Sequence, residues 1–147
     1  MEFEVAMYHK NLKAYTTNNL QAEMSVADPH RVIQLMMQGT LERLAQAKGA
    51  ISRRDMEAKA SAMAKAQALI SGLQDSLDLS QGKISEDLFA LYEYMKQQLW
   101  TAGKDLDIAK IDEVANLLIT IKSAWDQIPE AEKEKGYSIR QQQGDLG

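Results

Sequence analysis

Side chains that could carry out chemistry are few in this chain of 147 residues. It has no cysteine, which excludes disulfides and thiolate metal sites. Its two histidines, His9 and His30, both lack the glutamate three positions earlier that a carboxylate-bridged metal site in a helical bundle requires. Neither histidine is placed to join a rigid Ser-His-acid set, since His9 lies near the N-terminus and His30 on a first helical turn. The sequence therefore predicts no metal, no cofactor and no catalytic residues.

Binding of phosphates, nucleic acids or membranes is not indicated either. Gly39, Gly49 and Gly72 are isolated within helical patterns instead of being clustered in a phosphate-binding loop. The 17 basic and 21 acidic residues are mixed along the chain, so no basic block is available to follow a nucleic acid backbone. No apolar run approaches the roughly 20 residues of a membrane span, and the first residues do not resemble a signal peptide. We expect a cytoplasmic protein.

Composition indicates an all-α fold. Ala, Leu, Met, Gln, Glu and Lys dominate, and these residues favour helices. The two prolines, Pro29 and Pro129, leave the chain between them free of helix breaks. Aromatic residues make up only 6% of the chain, which argues against a sheet protein.

Apolar residues at spacings of three and four predict four long amphipathic helices. The first begins at Asp28-Pro29, where Asp28 can cap the helix and Pro29 suits its first position. Asp55 is the expected cap of the second helix and Ser85 that of the third, while a break at Gly103–Asp105 precedes the fourth. The expected inner positions of the first helix are Ile33, Met37, Leu41 or Thr40, Leu44, Ala47 and Ile51, and those of the third are Leu88, Leu91, Met95, Leu99 and Ala102.

Short connections between these helices make neighbours antiparallel. We therefore expect an all-α fold, an antiparallel up-down four-helix bundle with an additional short N-terminal helical arm. Residues 1–27 would form the arm, which is partly helical, and residues 28–129 the bundle. Residues 130–147 would form a polar C-terminal tail.

Two of the helices carry more apolar positions than one core stripe needs. The first adds Leu35 and Met36, and the third adds Phe89, Tyr92 and Trp100, which lie roughly one above another. One interpretation is a wide core face covered by the arm, which is ordinary for a globular helix. The other is an exposed groove for a partner's amphipathic segment, and the eight methionines suit such an adaptable surface. The two interpretations are compatible if the arm occupies the groove until a partner displaces it.

Four stretches, in order from about Met7 to Trp125, resemble the FliS family of flagellin-export chaperones. The chain departs from the family pattern mainly at turns and helix ends, for example at Gln81-Gly82-Lys83, where the family usually has Gly-Gly-Glu. The four similar stretches are Tyr8–Tyr15, Ala27–Met36 followed by Gly39, Leu88-x-x-Leu91-Tyr92-Glu93-Tyr94-Met95, and Asp112–Trp125 with its closing Ala-Trp pair.

The resemblance implies a chaperone and not an enzyme. Such a protein would bind the disordered C-terminal segment of flagellin, prevent premature polymerisation and hold the segment for flagellar type III export. The alternative is a regulatory adaptor that binds an anti-sigma factor or another flagellar assembly protein, and export gate proteins are further candidate partners. The predicted partner-binding residues are Leu12, Tyr15, Leu35, Met36, Phe89, Tyr92 and Trp100.

Overall fold

The computed structural model describes residues 28–128, and within this range the chain forms α-helices, one short 3-10 turn and no strand. This confirms the predicted all-α class. The predicted N-terminal arm and C-terminal tail lie outside the described residues. The elements are α1 (Pro29–Ser52), α2 (Met56–Asp75), the 3-10 turn (Leu79–Gln81), α3 (Lys83–Asp105) and α4 (Ile108–Asp126).

Residues 36–127 form one compact unit in which successive helices run antiparallel. Between α1 and α2, and between α2 and α3, residue numbers rise along one helix as they fall along the other. Helix α1 also contacts α4, because Lys48 Nζ lies 2.6 Å from Asp112 Oδ1. The helices therefore close into the predicted up-down bundle. The antiparallel pairs are Met36 with Gly72 and Gly39 with Leu69 between α1 and α2, and Lys59 with Gly103 and Gln74 with Phe89 between α2 and α3.

Aspartates begin three of the helices, and two of these caps were predicted. Asp28 Oδ1 accepts a hydrogen bond from Arg31 N at 2.8 Å, and Asp55 Oδ1 accepts one from Ala58 N at 3.0 Å. Asp107 caps α4 in the same way. Each carboxylate satisfies a backbone N–H that has no partner within the helix. These local signals fix where the bundle helices start.

The two ends of α3 differ from the prediction. Ser85 is not the N-terminal cap, because α3 already begins at Lys83, after Gly82 with φ +98°. Gly103 does not break the helix, which continues to Asp105 and ends at Leu106 in the left-handed conformation with φ +56°. Gly103 instead faces Met63 of α2, whose Cε lies 3.5 Å from the position that a Cβ would take. This is an ordinary van der Waals distance, so neither a turn nor close packing requires a glycine at this position.

The core is built from the predicted stripes with small shifts in register. On α1, Thr40 is buried in preference to Leu41, and its hydroxyl donates to Met36 O at 2.8 Å, so its polarity is satisfied. On α3, Tyr92 is buried, whereas Leu88 and Leu91 are only half-buried. The fully buried larger side chains are Met37, Leu44, Ile70, Leu73, Met95, Leu99, Ile111, Val114 and Leu118, together with Thr40.

Candidate partner-binding surface

Helix α3 exposes several large hydrophobic side chains that its core stripe does not use, and two of them, Phe89 and Trp100, lie on one side of the helix. Trp100 is 66% exposed and Phe89 is 38% exposed, while Met95 and Leu99 between them are fully buried. Phe89 and Trp100 are about three helical turns apart, so they lie on the same side of α3. Both rings lie beside the core, with the charged Glu93 and Lys96 between them on the same side, and we call this pair of exposed rings the exposed strip.

One cation lies against this strip. Lys104, one turn after Trp100, places Nζ 5.7 Å from the centroid of the indole ring, a distance typical of a cation–π contact. Lys104 also lies 3.7 Å from Asp105 Oδ1. The lysine covers only part of the indole, which leaves most of the ring in water and accessible to a partner.

Tyr92 does not belong to the exposed strip, which corrects the prediction for its position. It is only 2% exposed, and burial raises its pKa to about 12. Tyr92 is three residues before Met95 and seven before Leu99, so it continues the buried stripe of α3. Phe89 and Glu93, which flank it, both accept hydrogen bonds from Gln74 of α2.

Leu35 and Met36, the two predicted contact residues of α1, differ in their burial. Leu35 is buried, with 8% of its surface exposed. Met36 is half-buried, and its terminal methyl occupies the space that a Cβ at position 72 would need. The absence of a side chain at Gly72 therefore leaves room for the Met36 side chain between α1 and α2. The remaining predicted residues, Leu12 and Tyr15, lie outside the described residues.

A groove of about 550 Å³ between α1 and α4 was not predicted. Its apolar lining includes Leu41, which the core leaves half-buried, and Ile119, which is 51% exposed. Both are apolar residues beside the buried stripe of their helix. In the sequence, an apolar residue at that position was the only indication of the groove. The groove is lined by Gln38, Leu41, Glu42, Ala45, Ile119, Lys122, Ser123 and Asp126.

The polar groups between α3 and α4 are engaged with one another. Tyr94 OH donates to Glu113 Oε2 at 2.6 Å, and Gln98 Nε2 donates to Glu113 Oε1 at 3.0 Å. The hydrogen bond between Tyr94 and Glu113 is the main cause of both pKa shifts. It lowers the pKa of Glu113 and raises the pKa of Tyr94. Within residues 28–128, no three His, Cys, Asp or Glu side chains gather where a metal ion could be held. In the same range no helix is long and apolar enough to cross a membrane.

Comparison with known proteins identifies the family. The family described as flagellar protein FliS matches residues 11–132. The chain is 44% identical to the flagellar secretion chaperone FliSB of Pseudomonas aeruginosa, over 81% of this chain and 95% of that protein. It is 35% identical to FliS of Vibrio cholerae and 34% identical to FliS of Salmonella typhimurium, over 81% and 80% of this chain and 88% of each relative. These relatives are chaperones, which confirms that the chain is not an enzyme. The chain therefore belongs to the FliS family of flagellar secretion chaperones.

Proposed function

We propose that this protein is a cytoplasmic chaperone that binds the disordered C-terminal segment of flagellin. By holding the segment, the chaperone prevents premature polymerisation and keeps flagellin ready for type III export. The observation that carries the proposal is the exposed pair Phe89 and Trp100 on a helix whose core is complete without them. Large aromatic side chains in water beside a finished core are typical of a surface for another protein.

The energetics of such a surface suit a temporary complex. Covering apolar side chains contributes about 25 cal/mol for each Å² removed from water. Ordering a disordered partner on the surface opposes this gain, commonly by about 2–5 kcal/mol or more. In this proposal the ordering cost keeps the affinity moderate, so that the segment can be released for export.

The predicted contact residues within the described part of the chain differ in their burial. Phe89, Trp100 and the half-buried Met36 are available as direct contacts. Leu35 and Tyr92 are buried, so in this proposal they do not contact the partner directly. Leu12 and Tyr15 remain proposed contacts outside the described residues.

The direct test is calorimetric titration of the full chain with a synthetic flagellin C-terminal peptide. We expect saturable binding, with a scrambled peptide giving none. Trp100→Ala should weaken the affinity at least tenfold, because a mostly exposed tryptophan that becomes buried is a typical hot spot. Leu79→Ala, which truncates a similarly exposed residue on the α2–α3 turn, serves as the matched control and should bind normally.

Circular dichroism should show the same helix content for both variants, so that lost affinity reports on contact and not on folding. Absence of heat and of any complex with the wild-type chain contradicts the proposal. Capture from a flagellated cell lysate distinguishes the adaptor hypothesis. Recovery of an anti-sigma factor or another assembly regulator without flagellin would favour the adaptor.

A further inference from the structure

Gln74 of α2 is a polar side chain within the core, only 5% exposed. Its Nε2 donates to Phe89 O at 3.1 Å and to Glu93 Oε1 at 3.0 Å, and its Oε1 accepts from Lys96 Nζ at 2.8 Å. Only one orientation of the amide satisfies these contacts, because two oxygens face its nitrogen and an ammonium faces its oxygen. The hydrogen bond from Gln74 is also the main cause that lowers the pKa of Glu93.

Gln74 is the last of three α2 side chains that donate to backbone carbonyls of α3. Lys59 Nζ donates to Gly103 O at 2.9 Å, and Gln67 Nε2 donates to Lys96 O at 2.8 Å. The acceptors Phe89, Lys96 and Gly103 are seven residues apart, which places their carbonyls along one side of α3. These hydrogen bonds go to backbone carbonyls, so they hold the position of α3 independently of its side chains. They therefore set the register and rotation of α3 against α2.

We propose that Gln74 is a positioning residue for partner binding, a role that rests on the proposed function above. By holding the carbonyl of Phe89, it fixes where the exposed Phe89 ring stands relative to α2. An ordinary core position would be filled by an apolar residue, because a buried amide is favourable only when its hydrogen bonds are made. Here all three bonds go to α3, and one goes to a residue of the exposed strip.

The test compares peptide affinity in Gln74→Met with that in Gln98→Met. Both changes remove a glutamine that donates to a glutamate, but Gln98 points to Glu113 on the α4 side of α3. We expect Gln74→Met to weaken binding of the flagellin C-terminal peptide three- to tenfold and Gln98→Met to leave it unchanged. If Gln74→Met does not fold, Gln74→Leu is used, since it also removes the donor to the Phe89 carbonyl and introduces no charge.

A double-mutant cycle separates positioning from general destabilisation. If Gln74 acts through Phe89, then adding Gln74→Met to Phe89→Ala causes no further loss of affinity, whereas adding it to Met36→Ala causes the full loss. Wild-type affinity in Gln74→Met, or a loss that adds fully to that of Phe89→Ala, overturns this proposal. Both outcomes leave the proposed function intact, which fails only if the wild-type chain does not bind the peptide.

Discussion

Neighbouring residues of α3 differ in role: some pack in the core, and others are exposed and available to a partner. Leu99 and Trp100 are adjacent in sequence, yet Leu99 is fully buried and Trp100 is 66% exposed. Tyr92 is aromatic, like the exposed Phe89 and Trp100, but it lies in the core and is only 2% exposed. Burial raises the pKa of the Tyr92 hydroxyl, so its titration is coupled to the folding of the bundle.

Burial of Tyr92 predicts a loss of stability at high pH. The folded protein keeps the Tyr92 proton until about pH 12, whereas an unperturbed tyrosine loses it near 10. The free energy of unfolding from this residue is therefore constant below pH 10 and falls as the pH rises towards 12, by about 2 kcal/mol. Urea unfolding at pH 8, 10 and 11.5 measures this loss.

Tyr92→Phe is the control for this prediction, because phenylalanine fills nearly the same space and does not titrate. Its stability should fall less than that of the wild type between pH 10 and 12, while other alkaline effects remain common to both proteins. Equal losses in the two proteins would show that Tyr92 does not cause the pH dependence.

At the scale of the element, α3 carries both the exposed strip and the contacts that fix it, so the geometry of its ends matters. Gly82 precedes its first turn with φ +98° and ψ −157°, a conformation that other residues rarely adopt. The departure from the family pattern at Gln81-Gly82-Lys83 keeps a glycine where the backbone requires one. The start of α3 therefore depends on this residue and not on the predicted Ser85 cap.

Gly82→Ala should destabilise the protein by roughly 1–3 kcal/mol. A Cβ at this position would meet no atom within 4 Å, so the cost comes from the backbone conformation and not from a clash. Thermal unfolding followed by circular dichroism measures the change. Gly103→Ala is the matched control and should be neutral or stabilising by up to about 1 kcal/mol, because Gly103 lies inside a helix where alanine is favoured. A Gly82→Ala melting temperature equal to that of the wild type would contradict the assignment.

At the scale of the whole molecule, packing of the helices into a closed bundle leaves a defined surface once the core is filled. Hydrogen bonds to the backbone secure α3 against α2, and the α1–α4 side is more open because a groove of about 550 Å³ separates part of these helices. Apolar side chains remain exposed after the core is filled. Binding through such a surface should bury apolar area and have the corresponding thermodynamic signature.

We therefore predict a negative heat-capacity change for binding of the flagellin C-terminal peptide. Titrations between 10 and about 35 °C should give a binding enthalpy that becomes more favourable as temperature rises. Because exposed ion pairs are screened by salt and apolar contacts are not, affinity should change little between low and physiological ionic strength. A binding enthalpy independent of temperature, together with a strong loss of affinity in salt, would indicate an electrostatic interface instead.

Much of this fold can be predicted from the sequence, because its determinants are local. Apolar spacing locates four helices, and the caps at Asp28 and Asp55 locate two of their starts. The absence of cysteine and of a Glu-x-x-His pair follows directly from the residues present. Four stretches of similarity were sufficient to name the family.

The tertiary structure alone decides which edge of each apolar face is buried. A helical apolar face spans about 100°, so Leu91 and Tyr92, or Thr40 and Leu41, satisfy its periodicity equally well. The choice depends on the direction from which neighbouring helices approach: Phe89 and Glu93 of α3 accept hydrogen bonds from α2, and Tyr92 between them is buried. The tertiary structure likewise decides that Phe89 and Trp100 stay exposed and that Gln74 reaches the Phe89 carbonyl. Sequence periodicity describes one helix at a time, whereas a binding surface is what remains after all helices have packed.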